Sequence, residues 1–384
     1  MTTKNNGDGF KAFVGDVRDF VKNRLIPLEQ QVDRDDRVPD GVIDDMRGLG
    51  LFGLSVPERY GGLGLTLTQE ACVIREMGYT APAFRGVFGT NVGIGAMGIL
   101  MDGTDQQKDR YLPVMARGDL IGAFALSEAD AGSDAAALKT KAVRDGEHYI
   151  INGNKRYVTN ASRAGVLTVM ARTGDPAIGA KGISAFLVSS DSPGIVIAPP
   201  QQKMGLHGAP VCDVEFKNVH VDKKDLIGGV EGMGFKTAMK VLDRQRLHVS
   251  ALVVGMARRL IDESLRYAMS RHQFGGPISD FQLIQAMLAD SEAEYLAAKS
   301  MVKAMAADYD NGVKITKSAS ATKLFTTEMV GRVADRAVQI HGGIGYMSSS
   351  AVERFYRDVR LYRIFEGSSE IQKLIIAKEM IRGN

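Results

Sequence analysis

The spacing of apolar residues divides the chain into three regions. At first, apolar positions recur every three or four residues, as at Phe13, Val17 and Phe20, which predicts amphipathic helices. Thr104, with Gln107 three residues later, has the spacing of a capping box at the start of one of them. Short segments with period-two stretches then follow, and longer helical runs return near position 232. We therefore expect an N-terminal all-α domain over 1–119, a middle β domain over 120–229 and a C-terminal helical domain over 230–384.

The middle region reads as several short strands, separated by turns rich in Gly, Pro or Asn. Strands so spaced predict a small sandwich or barrel. Within the segment EHYIINGNKRYVT, Asn152-Gly153-Asn154 predicts a hairpin turn between two of the strands.

The C-terminal region predicts a four-helix bundle, which makes the whole chain an α+β multidomain protein. Helical periodicity over 235–270, 279–311 and 314–341 indicates three helices of more than 25 residues, the length of elements in a bundle. A fourth helix is expected near the end, where Ser369 and Gln372 have the S-x-x-Q spacing of a capping box.

Composition and charge narrow the functional classes. The chain has 384 residues, 45% hydrophobic and 24% charged, which is ordinary for a globular protein. A net charge of +3 gives no support for a nucleic-acid partner. The N-terminal segment lacks the apolar core of a signal peptide, and the longest apolar run, Val92 to Met101, is too short to span a bilayer. We expect a cytoplasmic protein with no membrane span.

Two apparent motifs are weak. GIGAMG, Gly93 to Gly98, matches G-x-G-x-x-G, but its surroundings are helical, and we interpret its glycines as permitting close helix packing. The two cysteines and six histidines show no metal-ligand spacing, so no metal site is predicted.

Three segments carry stronger chemical signals. The turn ALSEADAGSD, Ala125 to Asp134, offers hydroxyls and glycine amides suited to an anionic or heterocyclic ligand, although a plain polar turn has the same composition. In QIHGGIGY, a glycine pair follows a long helix and goes beyond a simple C-cap. In RIFEGSSEIQ, Glu366 interrupts an apolar run before the predicted cap, so helix capping does not explain it. A carboxylate in an apolar hinge is a candidate base.

Together with RHQFG at 271–275, these segments occur in the order and spacing typical of acyl-CoA dehydrogenases, and the chain resembles that family over nearly its whole length. The resemblance implies binding of FAD and oxidation of an acyl-CoA thioester to the trans-2-enoyl-CoA, as in fatty acid β-oxidation. It implies Glu366 as the base that removes the α-proton, with hydride passing from the β-carbon to flavin N5. The matching position on the long helix, where one branch of the family carries its base, is Gln245, which cannot act as one.

The resemblance also implies the binding residues. FAD would contact Phe124, Leu126, Ser127, Gly132, Ser133, Tyr157, Val158 and Thr159, and also Ser368 and Glu370. The FAD of a neighbouring subunit would contact Arg271, Gln273, Phe274, Gln282, Gln339, Gly342 and Gly343, which implies a homotetramer. The acyl-CoA would contact Ser133, Asp243, Arg246 and Gly367.

Some alternatives stay open. Tyr157, Ala129, His207 and Ser349 depart from the residues usual at these positions. The family resemblance implies an electron-transfer flavoprotein as the electron acceptor. An acyl-CoA oxidase, a dehydrogenase of carrier-protein-bound acyl groups and a flavin-containing nucleic-acid-binding relative share the fold. Acyl-chain length and branching are open, with short or medium chains favoured.

Overall fold

The computed structural model describes residues 7–383, which form helical, sheet and helical regions in chain order. The order predicted from apolar spacing is therefore confirmed. Residues 1–6 and 384 lie outside the described part, and with them the outer limits of the first and last predicted domains and part of the segment compared with a signal peptide.

Seven α-helices make up the N-terminal region. They are α1 Gly7–Phe20, α2 Glu29–Asp35, α3 Asp40–Leu49, α4 Leu67–Met77, α5 Pro82–Gly89, α6 Met97–Asp102 and α7 Asp105–Arg117. The capping box predicted at the start of α7 is confirmed, since Thr104 accepts from the amide of Gln107 and the Gln107 side chain accepts from the amide of Thr104. The paired cap satisfies two amides that the helix itself leaves without partners.

The middle region is one curled seven-stranded sheet. Its strands are β1 Gly122–Ala125, β2 Lys141–Asp145, β3 His148–Thr159, β4 Val166–Arg172, β5 Ile183–Ser189, β6 Ile195–Ile197 and β7 Val211–Asp222. The order is β1-β4-β2-β3-β7-β6, and β5 pairs with β4. Pairing is parallel where β4 meets β1 and β2 and antiparallel elsewhere.

The predicted hairpin turn at Asn152-Gly153-Asn154 is wrong, because β3 continues through these residues. The turn lies earlier, at Gly146 and Glu147, since Asp145 pairs with His148. Asn152 is held in the strand by two hydrogen bonds with Asn218 on β7, and the register shifts beside it, between Ile151 and Gly153. The glycine therefore marks a bulge instead of a turn.

The C-terminal region contains the three predicted long helices, the predicted final helix and a short helix before it. They are α8 Gly234–Ser270, α9 Gln282–Asp310, α10 Thr316–His341, α11 Ala351–Val359 and α12 Ser369–Arg382, with the two-residue strands β8 His272–Gln273 and β9 Gly276–Pro277 after α8. Most residues in the middle of α8 are buried, so this helix is the axis of the region.

The segment Pro82–Asp102 contains the apparent nucleotide motif and is long and apolar enough to cross a membrane, but 78% of its most apolar window is buried inside the protein. Such burial is typical of a core helix. A Cβ on Gly93 would lie 2.3 Å from the side-chain oxygen of Gln245, and one on Gly95 would lie 2.8 Å from the carbonyl oxygen of Thr90. These glycines permit close packing, as interpreted from the sequence.

One carboxylate joins the three regions. Asp33, on α2, lies 2.9 Å from Nδ1 of His207, in the segment between β6 and β7, and accepts a hydrogen bond of 2.9 Å from Nη2 of Arg357 on α11. His207, a departure from the family pattern, thus has a defined contact. The adjacent residue, Leu206, donates its amide to Asp358 of α11 at 2.6 Å.

Candidate active site

Glu366 lies in the short connection that leads into α12. Its φ of +54° is left-handed, and that of Gly367 is +89°, so two unusual backbone conformations stand in series. The side-chain amide of Gln372 donates to the carbonyls of both residues, at 3.2 and 2.9 Å. A turn of α12 therefore clamps the backbone that carries the carboxylate.

The predicted capping box at Ser369 and Gln372 is wrong. Ser368 is the N-cap, and its hydroxyl accepts from the amide of Ile371. Ser369 instead donates to Glu328 at 2.5 Å, and Gln372 binds the Glu366 hinge. The helix starts one residue earlier than the capping-box pattern suggests because the left-handed residues immediately before it set the entry of the chain.

Glu366 is half-buried, but its carboxylate is poorly solvated. Its Oε2 atom is shielded from solvent and has no hydrogen-bond partner among residues 7–383. Burial raises the pKa of Glu366 to about 7, although the cations Arg85, Lys323 and Arg246 and a hydrogen bond from Gln245 act in the opposite direction. A carboxyl group with a pKa near neutrality can accept a proton effectively.

Two of the surrounding cations are fixed by the chain itself. Lys323, on α10, donates to the carbonyl of Gly367 at 2.9 Å, and burial lowers its pKa to about 8. Arg246, on α8, pairs with Asp243, whose other oxygen accepts from Thr316 at 2.8 Å. Two of the predicted substrate residues, Asp243 and Arg246, therefore pair with each other, and Arg246 is close enough to Glu366 to affect its pKa.

The residues predicted to contact FAD within the same subunit, from Phe124 to Ser133, lie around the end of β1 and form the first predicted cofactor group. Lys155 is fully buried and donates to the carbonyl of Leu126 at 3.0 Å and to Glu128 at 2.7 Å. Glu128 also accepts from the amides of Lys139 and Thr140. The turn that carries Ser127, Gly132 and Ser133 is thus braced by an internal ion pair.

The residues predicted on β3 lie beside this turn, because the amide of Arg156 donates to the carbonyl of Ser127 at 2.8 Å. Tyr157 has a φ of +58° and is 59% exposed, with the Arg156 guanidinium over its ring. Thr159 is half-buried, but the Val158 side chain is buried in the sheet core. Only the backbone of Val158 can therefore face a cofactor here.

The second predicted cofactor group lies at the far ends of the long helices. The rings of Tyr267 and His341 stack at 4.5 Å and bring the end of α8 next to the end of α10. All members of the group are exposed, and Phe274 is 96% exposed with a φ of +51°. The group comprises Arg271, Gln273, Phe274, Gln282, Gln339, Gly342 and Gly343. Within residues 7–383, no hydrogen bond joins it to the group around β1.

Residues near the last helix complete the predicted site. Gly367 is half-buried and Ser368 is engaged as the N-cap of α12, whereas Glu370 is exposed in its first turn. Phe124, within β1, and Leu126, directly after this strand, are both half-buried. The predicted base and the predicted substrate contact Gly367 thus share one hinge. The predicted cofactor contacts lie on separate surfaces, one around the end of β1 and one at the ends of the long helices.

Sequence reasoning missed Arg85, Lys323 and Gln372, which shape the surroundings of Glu366. No motif marks Lys323, and the pattern that includes Gln372 predicted a capping box instead of its contacts with the Glu366 hinge. Arg85 carried a usable signal, because it is the one charge in the apolar stretch APAFRGVFGTN, just as Glu366 interrupts an apolar run.

The donor set fits a flavin nucleotide. The open turn after β1 presents Ser127 and Ser133, and a Cβ on Gly132 would meet nothing within 4 Å, so its backbone is accessible. Exposed aromatic rings at Tyr157 and Phe274 suit contact with a flat heterocycle. Residues 7–383 contain no group of three or more His, Cys, Asp or Glu side chains placed to hold a metal ion.

Three family descriptions match successive parts of the chain. Residues 8–119 match the acyl-CoA dehydrogenase N-terminal domain, 123–219 the middle domain and 232–381 the C-terminal domain. A probable acyl-CoA dehydrogenase of Bacillus subtilis, YngJ, is 40% identical, with 95% of this chain and 96% of that protein covered.

Two further proteins bear on the activity. A 3-(aryl)acrylate reductase of Clostridium sporogenes is 39% identical over 95% of this chain and 97% of that protein. The solved structure of butyryl-CoA dehydrogenase from Megasphaera elsdenii superposes with a TM-score of 0.94 at 31% identity, with 98% of this chain and 99% of that chain covered.

Proposed function

Because this chain belongs to the acyl-CoA dehydrogenase family of FAD-dependent oxidoreductases, we propose that Glu366 is the base that removes the α-proton of its acyl-CoA substrate to give the trans-2-enoyl-CoA. The observation that carries the proposal is the shielded Oε2 atom without a partner, on a carboxyl group whose pKa burial raises to about 7. Such a group is about half ionised near pH 7 and is poorly solvated when ionised, so proton transfer to its carboxylate form is favourable.

The clamped hinge supports a second role. Gln372 and Lys323 occupy the carbonyls of Glu366 and Gly367, and no hydrogen bond within residues 7–383 uses the amides of these two residues. Backbone amides held in this way can donate to the thioester oxygen as enolate charge develops there. The same hinge would then position the base and stabilise the product of proton removal.

Side chains of the two predicted cofactor groups would hold FAD. Ser127, Ser133 and Thr159 would supply hydroxyls, and the exposed group at the ends of α8 and α10 would contact the FAD of a neighbouring copy. FAD supplies the acceptor for the hydride that leaves the β-carbon. Exposed apolar residues of α12, among them Leu374 and Ile381, support self-association. We propose the homotetramer that the family resemblance implies.

Replacement of Glu366 tests the base. Glu366→Gln is expected to retain FAD and the fold but to lose turnover by about 10³-fold, since it keeps the shape and removes the proton acceptor. Exchange of the substrate α-proton with D₂O, followed by NMR, should be lost in parallel. Glu147→Gln, on the exposed β2–β3 turn, is the matched control. Turnover within about tenfold of the parent would refute the assignment.

The direction of the reaction and the electron acceptor need separate tests. A relative named as a reductase, at 39% identity, supports reduction of a 2-enoyl thioester as the second candidate function. Anaerobic mixing with saturated and unsaturated thioesters distinguishes the two directions by whether the flavin is bleached or reoxidised. We propose an electron-transfer flavoprotein as the acceptor. Rapid reoxidation of the reduced enzyme by oxygen alone would indicate an oxidase instead.

A further inference from the structure

One buried arginine differs from the others in what surrounds it. Six arginines are buried within residues 7–383: Arg85, Arg172, Arg244, Arg246, Arg259 and Arg354. Five have strong acceptors. Arg244, Arg246, Arg259 and Arg354 pair with carboxylates, and Arg172 donates to three backbone carbonyls. Arg85 has neither.

The partners of Arg85 are weak or distant. Its Nε atom is buried without a hydrogen-bond partner, and its Nη2 atom reaches only Nδ1 of His248, at 3.5 Å. Burial lowers the pKa of Arg85, while the charge of Glu366 acts to raise it. A buried guanidinium with five donors and no close acceptor is costly, and such groups normally bind an anion.

The local sequence makes room for this guanidinium. A Cβ on Gly89, one turn later on α5, would lie 2.7 Å from Nη1 and 2.8 Å from Cζ of Arg85. Glycine at position 89 therefore lets the guanidinium lie flat against its own helix. The guanidinium reaches His248 on α8. Gln245, three residues earlier on the same helix, forms a hydrogen bond with Glu366, so α8 brings Arg85 near the proposed base. The charge interaction between Arg85 and Glu366 agrees with this placement.

We propose that Arg85 binds a carboxylate at the far end of the acyl group, so that the substrate is the CoA thioester of a short dicarboxylic acid. This inference rests on the proposed function, because it takes the thioester end of the substrate to lie at Glu366. A substrate carboxylate would be the strong acceptor that Arg85 lacks within residues 7–383. The guanidinium could donate two parallel hydrogen bonds to it. The proximity of the two charges limits the acyl chain to a short one.

The test compares matched thioesters. The parent enzyme is expected to prefer succinyl-, glutaryl- or adipyl-CoA over the monocarboxylic thioester of equal chain length. At a pH well above the pKa of Glu366, where the base is ionised with or without Arg85, Arg85→Gln should lower kcat/KM about 10²–10³-fold more for the preferred dicarboxylic thioester than for the monocarboxylic one. Arg117→Gln, at an exposed ion pair on α7, is the control.

A second variant moves the guanidinium without removing its charge. Gly89→Ala should displace the flexible end of Arg85, at little cost to the fold, and reduce the dicarboxylate preference. If Arg85 serves only to keep Glu366 ionised, Arg85→Gln will lower turnover of both thioesters equally and shift the acidic limb of the pH profile. That result, or a parent enzyme that prefers monocarboxylic thioesters, would overturn the proposal.

Binding provides a readout that does not need turnover. In Glu366→Gln, calorimetry should show dicarboxylic thioesters binding at least about tenfold more tightly than their monocarboxylic equivalents, and Arg85→Gln added to it should abolish the difference. Selective binding without flavin reduction in the parent enzyme would contradict the proposed dehydrogenation and leave carboxylate recognition intact. Equal binding of both thioesters would overturn the proposal that Arg85 recognises a carboxylate, and would leave the proposed dehydrogenation standing.

Discussion

Two glutamates beside α8, the buried Glu70 and the half-buried Glu366, show how surroundings separate a structural carboxylate from a reactive one. Glu70, on α4, receives hydrogen bonds from Ser55 at 2.9 Å and from Nε2 of His248 at 2.6 Å, and it forms an ion pair with Arg244. Glu366 also lies beside α8, but its Oε2 has no partner within residues 7–383.

The protonation behaviour of the two carboxylates differs accordingly. Burial pushes both pKa values upward. At Glu70 the charge of Arg244 and the hydrogen bonds from His248 and Ser55 outweigh burial and lower the pKa, whereas at Glu366 burial prevails and the pKa rises to about 7. Completed hydrogen bonding makes a buried carboxylate a permanent anion, and incomplete hydrogen bonding makes it a proton acceptor.

Replacement of Glu70 and replacement of Glu366 should differ most in their effect on the stability of the protein. Glu70→Gln is expected to lower the free energy of unfolding by about 3–5 kcal/mol, because it leaves the buried Arg244 charge unpaired. Glu366→Gln should instead leave it unchanged or raise it at pH 8, because a carboxyl group whose pKa is raised on folding destabilises the folded protein once it is ionised. Urea unfolding at pH 8 measures both. Similar losses for the two variants would contradict the distinction.

The acidic limb of the pH dependence of turnover should follow Glu366. Its folded-state pKa is raised, so the base is ionised above about pH 7 and protonated below it. We expect kcat/KM to fall about tenfold per pH unit below 7. Glu70, with a lowered pKa, stays ionised throughout this range. A profile that is flat between pH 6 and 8 would exclude Glu366 as the titrating base.

A smaller effect is expected when the carboxylate is moved to α8. Gln245 forms a hydrogen bond with Glu366, so Gln245→Glu in the Glu366→Gln variant places a carboxylate beside the original position. We expect turnover to recover about tenfold over Glu366→Gln, because a displaced base retains part of the general-base contribution. Gln245→Met in the same variant is the control. Recovery in both would show that the change acts through packing.

The sequence carried the order of the regions and the position of Glu366, because both are local signals. Apolar periodicity changes with the type of element, and a charge within an apolar run is visible without a structure. The hairpin at Asn152-Gly153-Asn154 failed because a cross-strand partner, Asn218, keeps those residues extended. The cap at Ser369 failed because left-handed residues before it shifted the start of α12.

The surroundings of Glu366 could not be read from the sequence for a different reason. Arg85, Gln245 and Lys323 come from three helices far apart along the chain, and only packing brings them near Glu366. Long-range contacts of this kind leave no fixed spacing. The sequence did offer Gln245, as the family position of an alternative base, and Arg85, as the single charge in the apolar stretch of α5.

The shared carboxylate of Asp33 bears on how a substrate enters. Rigid-body separation of the three regions would break its contacts with both His207 and Arg357, and would also release the Asp358 contact with the backbone beside His207. Such a hinge motion would sacrifice several charged contacts together. We therefore expect a thioester to reach Glu366 through displacement of loops and side chains, while the three regions keep their relative positions.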